Sequence, residues 1–113
     1  KPRPERERFE ATYHELERPL TSNIAYSRKV IQLKIAFMTY FDERVFENVG
    51  RHEMAIRAAI REHLRLITEE QLAEPDFRAN LGEEIQLKVN AMLEELEDFG
   101  GIEQVHFTEF VVQ

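Results

Sequence analysis

The amino-acid sequence predicts an α+β fold: a small, mainly antiparallel sheet with two long helices packed on one face. Three observations predict it. Residues 29–41 place Ile31, Leu33, Ile35, Phe37 and Phe41 on one face at period two, as a strand does. Residues 43–67 and 76–97 carry apolar residues at offsets of three and four, as amphipathic helices do. From Ile102 onward the chain returns to aromatic and β-branched residues, the composition of a strand. The order strand, strand, helix, helix, strand sets a helical layer against a sheet.

The chain has 113 residues, of which 42% are hydrophobic, enough for one domain with a single core. Residues 1–10 alternate charges and hold Pro2 and Pro4, so residues 1–11 read as a solvated linker or tether and the domain proper as residues 12–113. A short strand is expected over residues 12–17. Pro19 ends it, and residues 20–24 resume extended structure after a turn. The strand over residues 29–41 has Gln32 and Lys34 on its second face, but Ala36, Met38 and Tyr40 continue that face as apolar. Its second half therefore requires cover on both sides. At about 3.3 Å per residue it would exceed ~40 Å, so a bend or bulge is expected within it.

Asp42 is placed to cap the helix that follows. Val45, Phe46, Val49, Ile56, Ile60, Leu64 and Ile67 form its apolar stripe, and Gly50 is expected to divide it into a short helix and a long one. Thr68 and Gln71 have capping-box spacing and open a further short turn that Pro75 stops. In the second long helix the stripe runs Phe77, Leu81, Ile85, Val89, Met92, Leu96, and Gly100-Gly101 is expected to end it in the left-handed conformation. The last strand then lies antiparallel to residues 29–41, with Val105, Phe107 and Val111 on one face and Phe110 and Val112 on the other. Two helices cover one face of a small sheet only. The remaining apolar surface falls to the segment 12–24, to a neighbouring copy, or to both. Met38, Tyr40 and the run Phe107, Thr108, Glu109, Phe110 are accordingly the candidate interface residues.

Composition excludes several classes. The net charge of -7 disfavours a nucleic-acid backbone or an anionic membrane surface. Cysteine is absent, so there is no disulfide, thiol nucleophile or Cys-based zinc site. His52 and His63 are eleven residues apart, about 16 Å along one helix, too far to hold one metal. His14 and His106 belong to strand segments, and His106 reads as a polar strand residue. No phosphate loop, nucleophile elbow or cation-binding loop occurs, and nothing in the sequence points to a cofactor. Arg57, Arg61 and Arg65 recur every four residues, a spacing that a phosphate would fit. Glu53, Glu62 and Glu69 stand close enough to make helix salt bridges of them instead. Glu94, Glu95, Glu97 and Asp98 crowd one helix end. They motivate the alternative of a small-molecule-binding domain or enzyme working there, against the simpler one of a solvated helix face.

The ending Gly101-Ile-Glu-Gln-Val-His-Phe-Thr-Glu-Phe-Val-Val-Gln113 resembles the C-terminus of the flagellar basal-body-associated FliL family. Upstream, Tyr13-His-Glu-Leu-Glu-Arg-Pro-Leu-Thr-Ser-Asn-Ile24 resembles that family's strand leading into an Asn-Leu step, and Gln32-Leu-Lys-Ile-Ala-Phe37 its long strand. Asp42, the helical stretch and the turn at Thr68 also fit. The resemblance implies a fold like the stomatin-type (SPFH) domain and no enzymatic activity. It further implies a periplasmic location, as the domain of a single-pass inner-membrane protein whose membrane helix precedes Lys1. Its implied partners are further copies of the chain, in a ring, and the MotA- and MotB-type proteins of the flagellar stator. Its implied role is to support torque and motility.

Overall fold

The computed structural model describes residues 9–113, so the expected tether lies outside the described residues up to residue 8. Four strands and four helices follow in the order β1 (Thr12–Glu15), β2 (Leu20–Asn23), β3 (Val30–Thr39), α1 (Arg44–Arg51), α2 (Glu53–Leu64), α3 (Glu69–Leu72), α4 (Phe77–Glu97) and β4 (Gln104–Val112). The α+β class and the antiparallel sheet are as the sequence predicts. Every other described strand pairs with β3, and with no strand besides it among the described residues. β1 takes Ala36–Thr39 and β2 takes Val30–Leu33, so the two lie end to end along one edge. β4 runs antiparallel along the opposite edge, from Ile31 to Met38.

The hydrogen bonds agree with this arrangement. Val30 exchanges both backbone bonds with Gln113, so even-numbered residues of β3 face β4. Ile24 N donates to Lys29 O and Leu16 N to Ile35 O, so odd-numbered residues face β1 and β2.

The helices cover one face. Leu20, Ile31, Leu33, Ile35 and Phe37 of the sheet share one buried cluster with Val45, Val49, Ile56, Ile60, Leu64, Leu81, Ile85, Val89 and Leu93 of the helices. The segment 12–24 does not cross the helix-free face. It lies in the sheet and sends Leu16, Leu20 and Ile24 into the same core.

Two long helices are not what forms. α4 has 21 residues, but the first helical stretch is split into α1 of 8 residues and α2 of 12. The break falls at His52, not Gly50, which lies inside α1. His52 leaves helical geometry (φ -111, ψ 18), and its ring meets Glu97 at the end of α4 at 2.6 Å. That tertiary contact, more than glycine's propensity, sets where the helix turns. The cap position of α1 falls on Glu43, which makes no side-chain cap bond, and not on Asp42; Asp42 stands one residue earlier, its Oδ1 accepting the backbone N–H of Arg44 at 3.1 Å. The box of Thr68 and Gln71 forms in both directions.

At the end of α4 the left-handed residue is Asp98 (φ 64), two positions before Gly100. Gly101 is also left-handed (φ 83), packed so closely on Phe99 and Val45 that an added Cβ would lie 2.7 and 2.9 Å from their side chains. The buried row of α4 continues through Leu93, leaving Met92 half-buried and Leu96 exposed. The reason is a change of neighbours along the helix. Its early turns rest on β4, where Gly82 lies against Val105 and Phe107, and its last turn meets the α1–α2 junction through Glu97.

Candidate functional site

β4 carries four of the six candidate interface residues, and its pairing departs from a regular ladder at one point. Lys34 faces Glu109 and Ile35 faces Phe107, so Thr108 is an extra residue with no partner on β3. The expected bulge exists, but it sits on β4 and not on the long strand. An extra residue reverses the alternation of side chains beyond it. Phe110 and Val112 lie opposite Leu33 and Ile31, while Val105 and Phe107 lie opposite Phe37 and Ile35. All four therefore point to the helix side and pack against the core. The sequence-based split of Phe107 from Phe110 is thus incorrect: strict period two carries no information about a bulge.

On that side the two rings meet edge to face, with centroids 5.7 Å apart. Phe110 also receives the edge contact of Phe77 at 6.2 Å, and the Arg78 guanidinium lies 4.1 Å from its centroid. Both phenylalanines are half-buried, at the rim of the core. Gly82 permits this approach, since a Cβ there would stand 3.4 Å from Val105 O and 3.8 Å from the Phe107 ring. The chain leading into β4 is fixed by α4. Asn90 exchanges two hydrogen bonds with Ile102, and Gln86 Nε2 donates to Ile102 O and Glu103 O.

The helix-free face is mainly polar. Gln32 donates to Glu109 at 2.8 Å, and the exposed Thr108 hydroxyl donates to Glu15, the side chains meeting above β3. His106 stands beside Tyr13, with ring centroids 5.8 Å apart. Met38 belongs to this face yet is only 3% exposed, with Tyr13 paired on one side and Gln104 on the other. Tyr40 is half-buried beyond the end of β3, where its carbonyl accepts the Phe9 N–H. The apolar second face of β3 is therefore covered by its own cross-strand neighbours, and Met38 offers no surface to a partner. What β4 leaves open is its outer edge, which no described strand pairs. That edge borders a cleft of about 500 Å³ walled by Arg78, Gly82, Gln86 and Leu87 of α4 and by Val105 and Phe107.

The acid-rich helix end does not gather into a site. Glu94, Glu95 and Asp98 are exposed, and Glu97 turns toward His52 (2.6 Å) and Arg51 (3.0 Å). Those two hydrogen bonds, His52 first, hold the Glu97 carboxyl below its ordinary pKa. His63 makes the parallel contact to Glu84 of α4 at 2.7 Å, so both helical histidines tie the first helical stretch to α4. Among the described residues no three His, Asp or Glu side chains group as metal ligands.

The arginine stripe divides. Arg65 pairs with Glu62 as the spacing predicts, but Glu69 pairs with Lys29 and Ser27. Arg57 is buried, donating at 2.8 Å from Nη1 to Arg18 O and from Nη2 to Pro19 O. Burial, and then the neighbouring Arg18, push its pKa below the ordinary value. Sequence reasoning missed this residue because an arginine at helical spacing looks the same whether it faces solvent or two orphan carbonyls.

Comparison with known proteins agrees with this chain over nearly all its length. The family model for the flagellar basal body-associated protein FliL matches residues 13–113. A flagellar protein FliL from Aquifex aeolicus (strain VF5) is 32% identical over 106 residues, covering 88% of this chain and 60% of the relative. The chain thus spans less than two thirds of that relative's length. On both counts it belongs to the flagellar basal body-associated FliL family.

Proposed function

We propose that this chain is a non-enzymatic accessory domain of the flagellar basal body. In this reading it is the periplasmic part of a single-pass inner-membrane protein, and it assembles with further copies into a ring around the stator formed by MotA- and MotB-type proteins. There it supports torque and motility. The family match across residues 13–113 carries the reading.

One structural feature supports the assembly step and one line of support falls away. The apolar surplus that the sequence left to the segment 12–24, to a neighbouring copy, or to both is absorbed within the chain, by the bulge at Thr108 and by the cover over Met38. The open edge of β4 with its adjoining cleft remains, a strand edge of the kind that pairs with another chain unless protected. Leu87, 64% exposed, lines that cleft and is the apolar anchor for a neighbouring copy.

The test uses the full-length, membrane-anchored protein. Cross-linking in membranes should give species larger than one chain, Leu87→Glu should reduce them, and deletion of the protein should impair swimming in viscous medium. An anchored protein that stays monomeric, together with unchanged motility under load in the deletion strain, would overturn the reading.

A further inference from the structure

The opposite edge of the sheet carries a second opening, rimmed by two arginines. Leu20, Ser22 and Ile24 direct their backbone groups to β3, so Thr21 and Asn23 direct theirs outward. The next outward group, Ala25 N–H, is already taken by Ile67 O at 2.8 Å, where Ala25 and Thr68 form a parallel bridge. At the other end Arg57 takes the carbonyls of Arg18 and Pro19. Between these stops no described strand pairs the edge, which runs along a cleft of about 490 Å³, floored by residues of β2 with Ile24, Ala25 and Val30, and rimmed by Arg61 and Arg65 of α2. The two arginines are exposed, and among the described residues Arg65 pairs with the exposed Glu62.

We propose that this cleft binds an extended acidic segment of a partner protein, added as a strand to the free edge of β2. The spacing sets the pattern it reads. Arg61 and Arg65 are four residues apart on a helix, about 6 Å along its axis. Alternate residues of a strand are about 6.6 Å apart on one face. Two carboxylates at positions i and i+2 therefore meet the two guanidiniums, while residue i+1 lies on the far face beside Thr21 and Asn23. The added strand takes its affinity from the open backbone groups of Thr21 and Asn23 and its selectivity from the arginine pair. A chain of net charge -7 repels acidic segments elsewhere, so the local positive rim selects the site as well as the ligand. The inference is independent of the assembly at β4, which lies on the other edge of β3.

The probe is the blocked peptide acetyl-Thr-Glu-Thr-Glu-Thr-amide, titrated into the 113-residue chain while backbone amides are followed by NMR. Saturable shifts and slowed hydrogen exchange are expected at Thr21 and Asn23. Arg61→Gln and Arg65→Gln, both on the surface, should each weaken binding about tenfold, the effect of losing one charge-assisted hydrogen bond. The lysine analogue and a peptide N-methylated at its central threonine should not bind. No saturable shift at β2, or binding indifferent to both arginine substitutions, would overturn the proposal. Protection of Thr21 and Asn23 that rises with protein concentration alone would overturn it in favour of a second copy.

Discussion

Two one-residue deletions in β4 should have unequal effects if Thr108 is the residue that sets the phase of the strand. Removing Thr108 restores a regular ladder, because Glu109 already faces Lys34 and Phe107 already faces Ile35. Every apolar side chain keeps its face. The loss is the surface hydrogen bond to Glu15 and the local bend, about 1 kcal/mol. Removing His106 leaves the strand two poor choices. It keeps the bulge and turns Val105 outward, or absorbs it and turns Phe107 outward beside Ala36. Phe107 is half-buried, so turning it out re-exposes about 100 Å² of apolar surface, about 2.5 kcal/mol at 25 cal/mol per Å², before counting the void left under Gly82. Keeping the bulge instead turns the half-buried Val105 out and brings the Gln104 amide opposite Phe37, so by either route the His106 deletion should cost about 2–4 kcal/mol. Urea unfolding gives both values, provided the two variants keep the parent's m-value. If deleting Thr108 costs as much as deleting His106, the phase argument is wrong.

Arg57→Met should cost about 1.5–3 kcal/mol, since it removes the charged donor that holds the carbonyls of Arg18 and Pro19 to α2. Arg57→Lys should recover little, because one ammonium does not span both in a fork; thermal melts of the two variants decide this. Gly82→Ala should be near neutral, helix propensity offsetting a 3.4 Å contact, whereas Gly82→Val should cost about 2 kcal/mol by pushing α4 off β4 in the same melts. The pH dependence follows from Glu97. Its pKa is lower in the folded chain than its ordinary 4.5, so its contribution is complete above that value and is lost as pH falls through the lower folded value. Glu97→Gln should remove that acid-side loss from a series of urea midpoints between pH 6 and pH 3. An unchanged pH profile in Glu97→Gln would show that the contact with His52 and Arg51 adds nothing.

Much of the fold was legible because two periodicities are local properties. Ile31, Leu33, Ile35 and Phe37 had to share a face, and all four are fully buried. Thr68 and Gln71 announced their box, since the bonds that form it lie within three residues. What escaped depended on distant parts of the chain. The helix break moved from Gly50 to His52 because Glu97 receives the His52 ring. The buried row of α4 followed Leu93 because the helix changes neighbours along its length. Among the candidate interface residues, Phe107 and Phe110 were separated on paper by a parity rule that one unpaired threonine reverses. Met38 looked bare because its cover, Tyr13 and Gln104, comes from segments on either side of it in the sheet but 25 and 66 residues away in sequence.

The dependence of the whole sheet on β3 has a kinetic consequence. β1 and β2 reach β3 across short loops, but β4 reaches it only after four helices, and the Gln32–Glu109 contact closes a separation of 77 residues. Closing so large a loop is an entropically slow step, and the second edge of β3 waits for it. Until it happens, Ile31, Leu33, Ile35 and Phe37 belong to a strand with one raw edge, so folding at high concentration sets closure by β4 in competition with pairing between chains. Refolding yield should fall with protein concentration more steeply than stability at equilibrium would indicate, and a separately supplied β4 peptide should rescue it.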